Sequence, residues 1–271
     1  MGFVNYSFLF LLPFLFHFFD NTKLRLPLFY ISSIYIFFIV CFRGTNTGDG
    51  DYGAYLRIYS LFDSWFAVLD PLTSHVEYGF RLISYLGNYF NFDGQFIFIV
   101  MGVLSLIPIY YIIKRYSPYL SLSLLLFVPS LFVFNMQASR VSVSVAIMLL
   151  AFYLIFEKKY IKSIILFIIS LLFHASSVIS LAIILVKLNI QKLFFLFLIM
   201  LFIGITFPPI PLIINFVNLI GLDFFSYKLS VYFSSDNYGY PMRLYDPRFL
   251  FMTSIIIFMS LIRRVKTWLE R

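Results

Sequence analysis

Gln137-Ala138-Ser139-Arg140-Val141-Ser142-Val143-Ser144-Val145-Ala146-Ile147-Met148-Leu149-Leu150-Ala151-Phe152-Tyr153-Leu154-Ile155-Phe156 sets an arginine at the head of an apolar run, and Leu193 to Phe207 is a second such run. Runs near the roughly 20 residues that cross a bilayer must satisfy their own amides as helices, because the hydrocarbon core offers no water to bond them. An outer-membrane barrel needs segments of about ten residues alternating apolar and polar, whereas these runs are continuous. With 62% hydrophobic and 12% charged residues, the chain lacks the polar side chains to cover a water-soluble globule. The expected fold class is all-α: a polytopic transmembrane helical bundle of about 8–10 membrane segments with extracytoplasmic loops and short re-entrant or interfacial helices. It is expected to form a single integral membrane domain over residues 1–271.

Working outward, the expected segments are Phe3 to Phe19, Leu26 to Phe42, Phe96 to Ile113, Leu120 to Phe134, Val141 to Phe156, Ser163 to Val186, Leu193 to Phe207 and Phe249 to Ile262. Tyr78 to Phe90 and Ile210 to Leu222 are too brief for spans and suit interfacial or re-entrant pieces. Phe3 to Phe19 has no basic residue before it and no small-residue cleavage site after it, so it reads as a span rather than a cleaved signal. Cys41 is the only cysteine, which excludes an intramolecular disulfide and a cysteine-built zinc cluster. The net charge of +8 is spread over several short loops rather than one stripe, so no nucleic-acid partner is expected.

Those loops set topology. Lys23/Arg25, Lys114/Arg115, Lys158/Lys159/Lys162 and Arg263/Arg264/Lys266 are the dense cationic clusters, and the positive-inside rule assigns them to the cytoplasm. Arg43 to Gln95, the Asn135 to Arg140 connection and Gly221 to Pro247 then lie outside. Whether Ser163 to Val186 crosses once or turns back near His174 is left open by the rule. The cations placed outside are mostly arginines: Arg43, Arg57, Arg81, Arg140, Arg243 and Arg248, with Lys228 the clear lysine. Insertion bias does not explain them; a planar fork that matches phosphate or carboxylate oxygens does.

Four polar constellations stand out. In Arg43-Gly44-Thr45-Asn46-Thr47-Gly48-Asp49-Gly50-Asp51-Tyr52-Gly53-Ala54-Tyr55 the glycines permit tight turns with exposed amides, and Asp49/Asp51 have the form of a weak metal-binding pair. Nucleotide sugars are cytoplasmic and this loop is assigned outside, so no metal is expected. Glu77 and Arg81 stand at the spacing of a helical ion pair. Gln137, Arg140 and Ser144 share a helical face, and a charged residue at that depth marks a functional site by default. Ser170, His174 and Ser177 form a polar stripe in an apolar segment, with no Ser-His-Asp spacing and no readable metal site beside it.

In this order the constellations resemble the EpsG-like branch of the Wzy-type polymerases, which extend O-antigen, capsule and exopolysaccharide chains. The resemblance rests on Arg43 with Asp51-Tyr52-Gly53-Ala54-Tyr55, on Glu77-Tyr78-Gly79-Phe80, on Gln137 to Arg140, and on Phe173-His174-Ala175-Ser176, over roughly residues 40 to 190. It implies a glycosyltransferase of the bacterial inner membrane that polymerises undecaprenyl-pyrophosphate-linked oligosaccharide repeats on the extracytoplasmic face, without metal or other cofactor. Membrane lipids and a chain-length regulator protein are the further partners expected. Developing charge on the pyrophosphate needs pre-positioned donors; Arg140 is the first choice, with Arg43, Arg81, Arg243 and Arg248 behind it and Gln137 beside it. The acceptor hydroxyl needs a base, for which Glu77, Asp51 and His174 are candidates in no order. Tyr52, Tyr55, Tyr78 and Tyr238 are candidate sugar platforms.

A flippase for the same lipid-linked oligosaccharide is the main rival, although it would carry internal repeats or paired broken helices, and none is legible. An O-antigen ligase shares the chemistry and is separated only by the motifs. A membrane O-acyltransferase would rest on His174 alone.

Overall fold

Segments with few polar side chains hide their amides by coiling, and among the residues described the structure contains helices and no strand. The computed structural model describes residues 3–44, 51–70, 73–175, 177–178, 195, 199, 209–219, 221, 226–227 and 230. Contacts divide the chain into a unit over Met1–Leu181 and a unit over Ala182–Arg271.

The first unit runs α1 (Phe3–His17), α2 (Arg25–Cys41), α3 (Tyr52–Ser60), α4 (Trp65–Leu69), α5 (Tyr78–Tyr89), α6 (Gln95–Tyr116), α7 (Leu120–Ser130), a π-helical stretch (Leu131–Gln137), α8 (Ser139–Phe156) and α9 (Tyr160–Leu171). In the second unit, the short apolar stretch expected at Ile210 to Leu222 is α10 (Pro209–Leu219). Among the described residues three helices, Gln95–Tyr116, Leu120–Gln137 and Ser139–Phe156, are long and apolar enough to cross a membrane, and α2 and α9 are apolar but shorter. This is a helical membrane protein. The segments expected at Leu193 to Phe207 and Phe249 to Ile262 lie outside the described residues, apart from Phe195 and Ile199.

Helices α6, α7 and α8 are joined by short connections, so neighbours run antiparallel; α8 packs on α6 and α9, α2 on α6, and α1 on α2 and α7. One end of the unit gathers Lys114, whose Nζ donates to the Tyr30 hydroxyl at 2.6 Å, and Asp20, which accepts the Ser121 and Leu122 amides at 3.1 and 3.3 Å. That carboxylate satisfies donors that the first turn of α7 leaves open. The opposite end gathers Cys41, Gln95, Asn135 and Ser139, where the Gln95 Nε2 donates to the Cys41 carbonyl. Helices α2 and α6 approach closely because residue 102 is glycine: a Cβ there would lie 2.3 Å from the Cys41 sulfur.

Two helices depart from the sequence reading, each for a visible reason. The run Leu120 to Phe134 ends as an α-helix at Ser130, just after Pro129, and continues as the π stretch. Proline removes a donor, and a widened turn is one way a helix absorbs that loss. The run Ser163 to Val186 does not pass through His174 as one helix: α9 starts at Tyr160 and ends at Leu171, and the chain turns through Leu172 and Phe173. Long-range partners take over there, with the Leu172 carbonyl accepting the Gly79 amide at 2.7 Å and the Ala175 amide donating to Glu77 at 3.1 Å.

Candidate functional site

Glu77 precedes α5 in extended conformation (φ −73°, ψ 156°), which turns its side chain away from the helix it introduces. Glu77 still acts on Arg81 through its charge, but it also bonds partners much farther along the chain. One carboxylate oxygen accepts Arg140 Nη1 at 2.7 Å; the other faces His174 Nδ1 at 3.0 Å and accepts the Ala175 amide at 3.1 Å. An ionised carboxylate only accepts, so Nδ1 carries the hydrogen, and in the neutral ring Nε2 is then the acceptor. Side-chain exposures of 4% for Glu77, 11% for Arg140 and 18% for His174 place the anion deepest and the imidazole nearest the surface.

The turn that carries His174 is held from two sides. Gly79 permits the approach of α5, since a Cβ there would lie 2.6 Å from the Leu172 oxygen. On the other side, Ser144 of α8 meets the Ser177 hydroxyl at 2.7 Å, and Ser177 donates back to the His174 carbonyl. Arg140 and Ser144, one turn apart, thus reach Glu77 and the His174 turn from a single helix. Ser170 and Ser177 do not stack with His174 along a helix as expected, because α9 has already ended; the Ser170 hydroxyl bonds the Phe167 carbonyl. Gln137 is likewise not on the helix of Arg140: Ala138 (φ −121°, ψ 60°) breaks the chain between them, and Gln137 is exposed.

The arginines separate by environment. Arg43 is 1% exposed, donates to the Asn135 carbonyl and to Ser139 Oγ at 2.7 Å, and lies 4.6 Å over the Phe98 ring. The π stretch supplies that carbonyl, and Asn135 is itself held through Nδ2 to Ser105 Oγ at 2.7 Å. Arg81 is 0% exposed and donates to the carbonyls of Val76, Val68, Asp70 and Ser74. Burial pulls the Arg81 pKa below the usual arginine value, with Tyr78, Asp70 and Glu77 opposing; an arginine remains charged even so. Both guanidinium groups donate to main-chain carbonyls, and Arg43 also to a serine hydroxyl, so each fork is held by the protein itself.

The two tyrosines of Asp51-Tyr52-Gly53-Ala54-Tyr55 fall on one face of α3, and each backs an arginine. Tyr52 stacks at 4.6 Å on Phe98, whose ring also meets Arg43, and Tyr55 lies 5.9 Å beneath the Arg140 guanidinium. Both are buried against protein rings, so their faces are already covered. Asp51 stands exposed before α3. Asp49 of the carboxylate pair, Ser176, Tyr238, Arg243 and Arg248 lie outside the described residues, and among the described residues no group of three or more His, Cys, Asp or Glu is placed to hold a metal. Sequence reasoning singled out Ser144 and Ser177 but not their pairing, and it missed Asn135 and Ser139; a lone amide at the end of an apolar run was the one signal for Asn135.

Comparison with known proteins gives a family model, described as the EpsG family, that matches residues 26–270. No curated protein and no solved structure matches the chain.

Proposed function

The chain belongs to the EpsG family, which is associated with polysaccharide polymerases, and from that premise we propose that it polymerises lipid-linked oligosaccharide repeats on the extracytoplasmic face of the bacterial inner membrane. The donor is a growing glycan on undecaprenyl pyrophosphate, and the acceptor is one lipid-linked repeat. The observation that carries this reading is the convergence of Glu77, Arg140 and His174, separated by up to 97 positions in sequence, at bonding distance.

Glu77 orients the imidazole through Nδ1, so His174 Nε2 takes the proton of the acceptor hydroxyl. The acceptor oxygen then bonds the anomeric carbon, and the bond from that carbon to the pyrophosphate oxygen breaks with its electron pair leaving on the phosphate. Arg140, the least buried of the three arginines described above, meets that charge; a pre-positioned donor of this kind is worth about 10²–10³ in rate. Its bond to Glu77 holds the guanidinium in place before substrate arrives, and the departing diphosphate then shares its charge. Arg43 and Arg81 support this arrangement from the main chain rather than touching substrate.

The test uses purified protein in vesicles with a lipid-linked repeat. Chains of increasing length, formed equally with EDTA present, are the expected product. Unchanged single repeats, together with loss of all surface repeats on deletion of the gene in cells, would instead identify a flippase.

A further inference from the structure

Helix α5 is inside out. Its polar side chains turn toward the protein: Arg81 is buried on main-chain carbonyls, Ser84 is buried, and Asn88 donates to the Tyr59 and Phe62 carbonyls at 2.9 and 3.0 Å. Its exposed face is the apolar stripe Tyr78, Leu82, Leu86 and Tyr89, continued by Phe90. The helix has 12 residues and its one charge faces inward. At 1.5 Å per residue it is about 18 Å long, short of the roughly 30 Å hydrocarbon core.

The stripe is continuous with the membrane-crossing part of the molecule. Rings touch in an unbroken series from Trp65 of α4 to Tyr85, Tyr89, Phe90, Phe92 and Phe96, at centroid separations of 5.7, 6.1, 5.2, 6.1 and 4.9 Å. Phe96 lies in the first turn of α6, the longest of the described helices able to cross a membrane. Beside this series Phe66 is 85% exposed. Water would meet a large aromatic face at a membrane boundary, with the exposed Asp63 and Asp93 beside its two ends, and such a boundary is where aromatic rings collect in membrane proteins.

We infer that the outward face of α5 and the aromatic edge from Trp65 to Phe92 are covered by lipid of the leaflet that holds the first turn of α6. Tyr78 follows Glu77 directly, so the lipid-covered stripe leads to the edge of the Glu77–Arg140–His174 cluster. Resting on the function proposed above, this means that a lipid-anchored substrate reaches the cluster sideways from the leaflet and keeps its isoprenoid tail in the bilayer.

The chain has two tryptophans, Trp65 and Trp268. Trp268→Phe leaves Trp65 as the only emitter, and a second protein with Trp65→Phe, Trp268→Phe and Leu86→Trp places the emitter on the α5 stripe. Each is reconstituted in vesicles of brominated or plain phosphatidylcholine and titrated with aqueous iodide. A larger loss of emission to brominated lipid than to iodide at both positions is expected. A larger loss to iodide at either position overturns the inference, as does iodide quenching that added oligosaccharide relieves, since a glycan would then be the covering partner. The readout needs no turnover: lipid quenching in a protein without polymerase activity would sink the proposed function alone.

Discussion

The Gly79 amide donates to the Leu172 carbonyl at 2.7 Å, and this bond joins the start of α5, where Glu77 sits, to the turn that presents His174. The Glu-x-Gly-aromatic and Phe-His-x-Ser motifs are therefore two halves of one contact. A Cβ at Gly79 would stand 2.6 Å from the Leu172 oxygen and 3.0 Å from its carbon, both main-chain atoms. Gly79→Ala is expected to destabilise the protein by about 1–3 kcal/mol, the range for forced overpacking, and to lower polymerisation further by shifting Glu77 from His174. Thermal unfolding in detergent and chain-length analysis check this; full activity with unchanged stability would remove the contact from the mechanism.

His174→Ala is expected to lower turnover by about 10²–10⁴, the usual contribution of a positioned base, with membrane abundance close to wild type because His174 is the least buried of the three. Single-turnover measurements on purified protein read this directly. Wild-type turnover would return the base to Glu77 or Asp51.

Arg140 and Glu77 should show strong coupling. Removing either partner strands a charge in a buried pair, at about 3–5 kcal/mol, so Arg140→Gln and Glu77→Gln are each expected to lower stability. The double variant should lose less than the two singles summed. Its stability is recovered in part while its activity is not, since both the orienting carboxylate and the phosphate donor are gone. Additive losses of stability would argue that the pair does not form.

Arg81→Lys is expected to fail as Arg81→Ala does, by loss of folded protein rather than by shortened chains. A single ammonium cannot reproduce a planar fork that reaches the carbonyls of Val68, Asp70, Ser74 and Val76 together. Membrane abundance measured beside chain length separates the outcomes; abundant protein with short chains would place Arg81 on the substrate instead.

Asp20 supplies a pH dependence at the opposite end of the unit. Burial raises its pKa, but the His17 side chain and the Ser121 and Leu122 amides together outweigh burial and hold it below the ordinary aspartate value. A pKa lower in the folded than in the unfolded protein adds stability that is present above the unfolded value and is lost as pH falls through the folded one. Unfolding should thus become easier below the ordinary carboxylate range, and Asp20→Asn should flatten that limb. An unchanged acid limb in the variant would assign the effect elsewhere.

The sequence alone determined the helical class, the membrane setting and the polar residues worth following, because hydrocarbon forbids unpaired amides and makes every buried charge conspicuous. Lys114/Arg115 lie in the last turn of α6 and Lys158/Lys159 follow the end of α8, while Arg140 begins α8, and that separation of the dense cationic clusters from Arg140 was legible from order and spacing. Which arginine meets Glu77 was decided only by tertiary structure. Arg43, Arg81 and Arg140 look alike in sequence, yet two are spent on main-chain carbonyls and one on Glu77, since a guanidinium binds whatever acceptors the fold brings within reach. Local spacing pointed Glu77 at Arg81 and carried a helix through His174. Helix α9 instead ends at Leu171, Gly79 admits the turn that follows it, and the carboxylate bonds there, a competition between near and distant partners that no periodicity records.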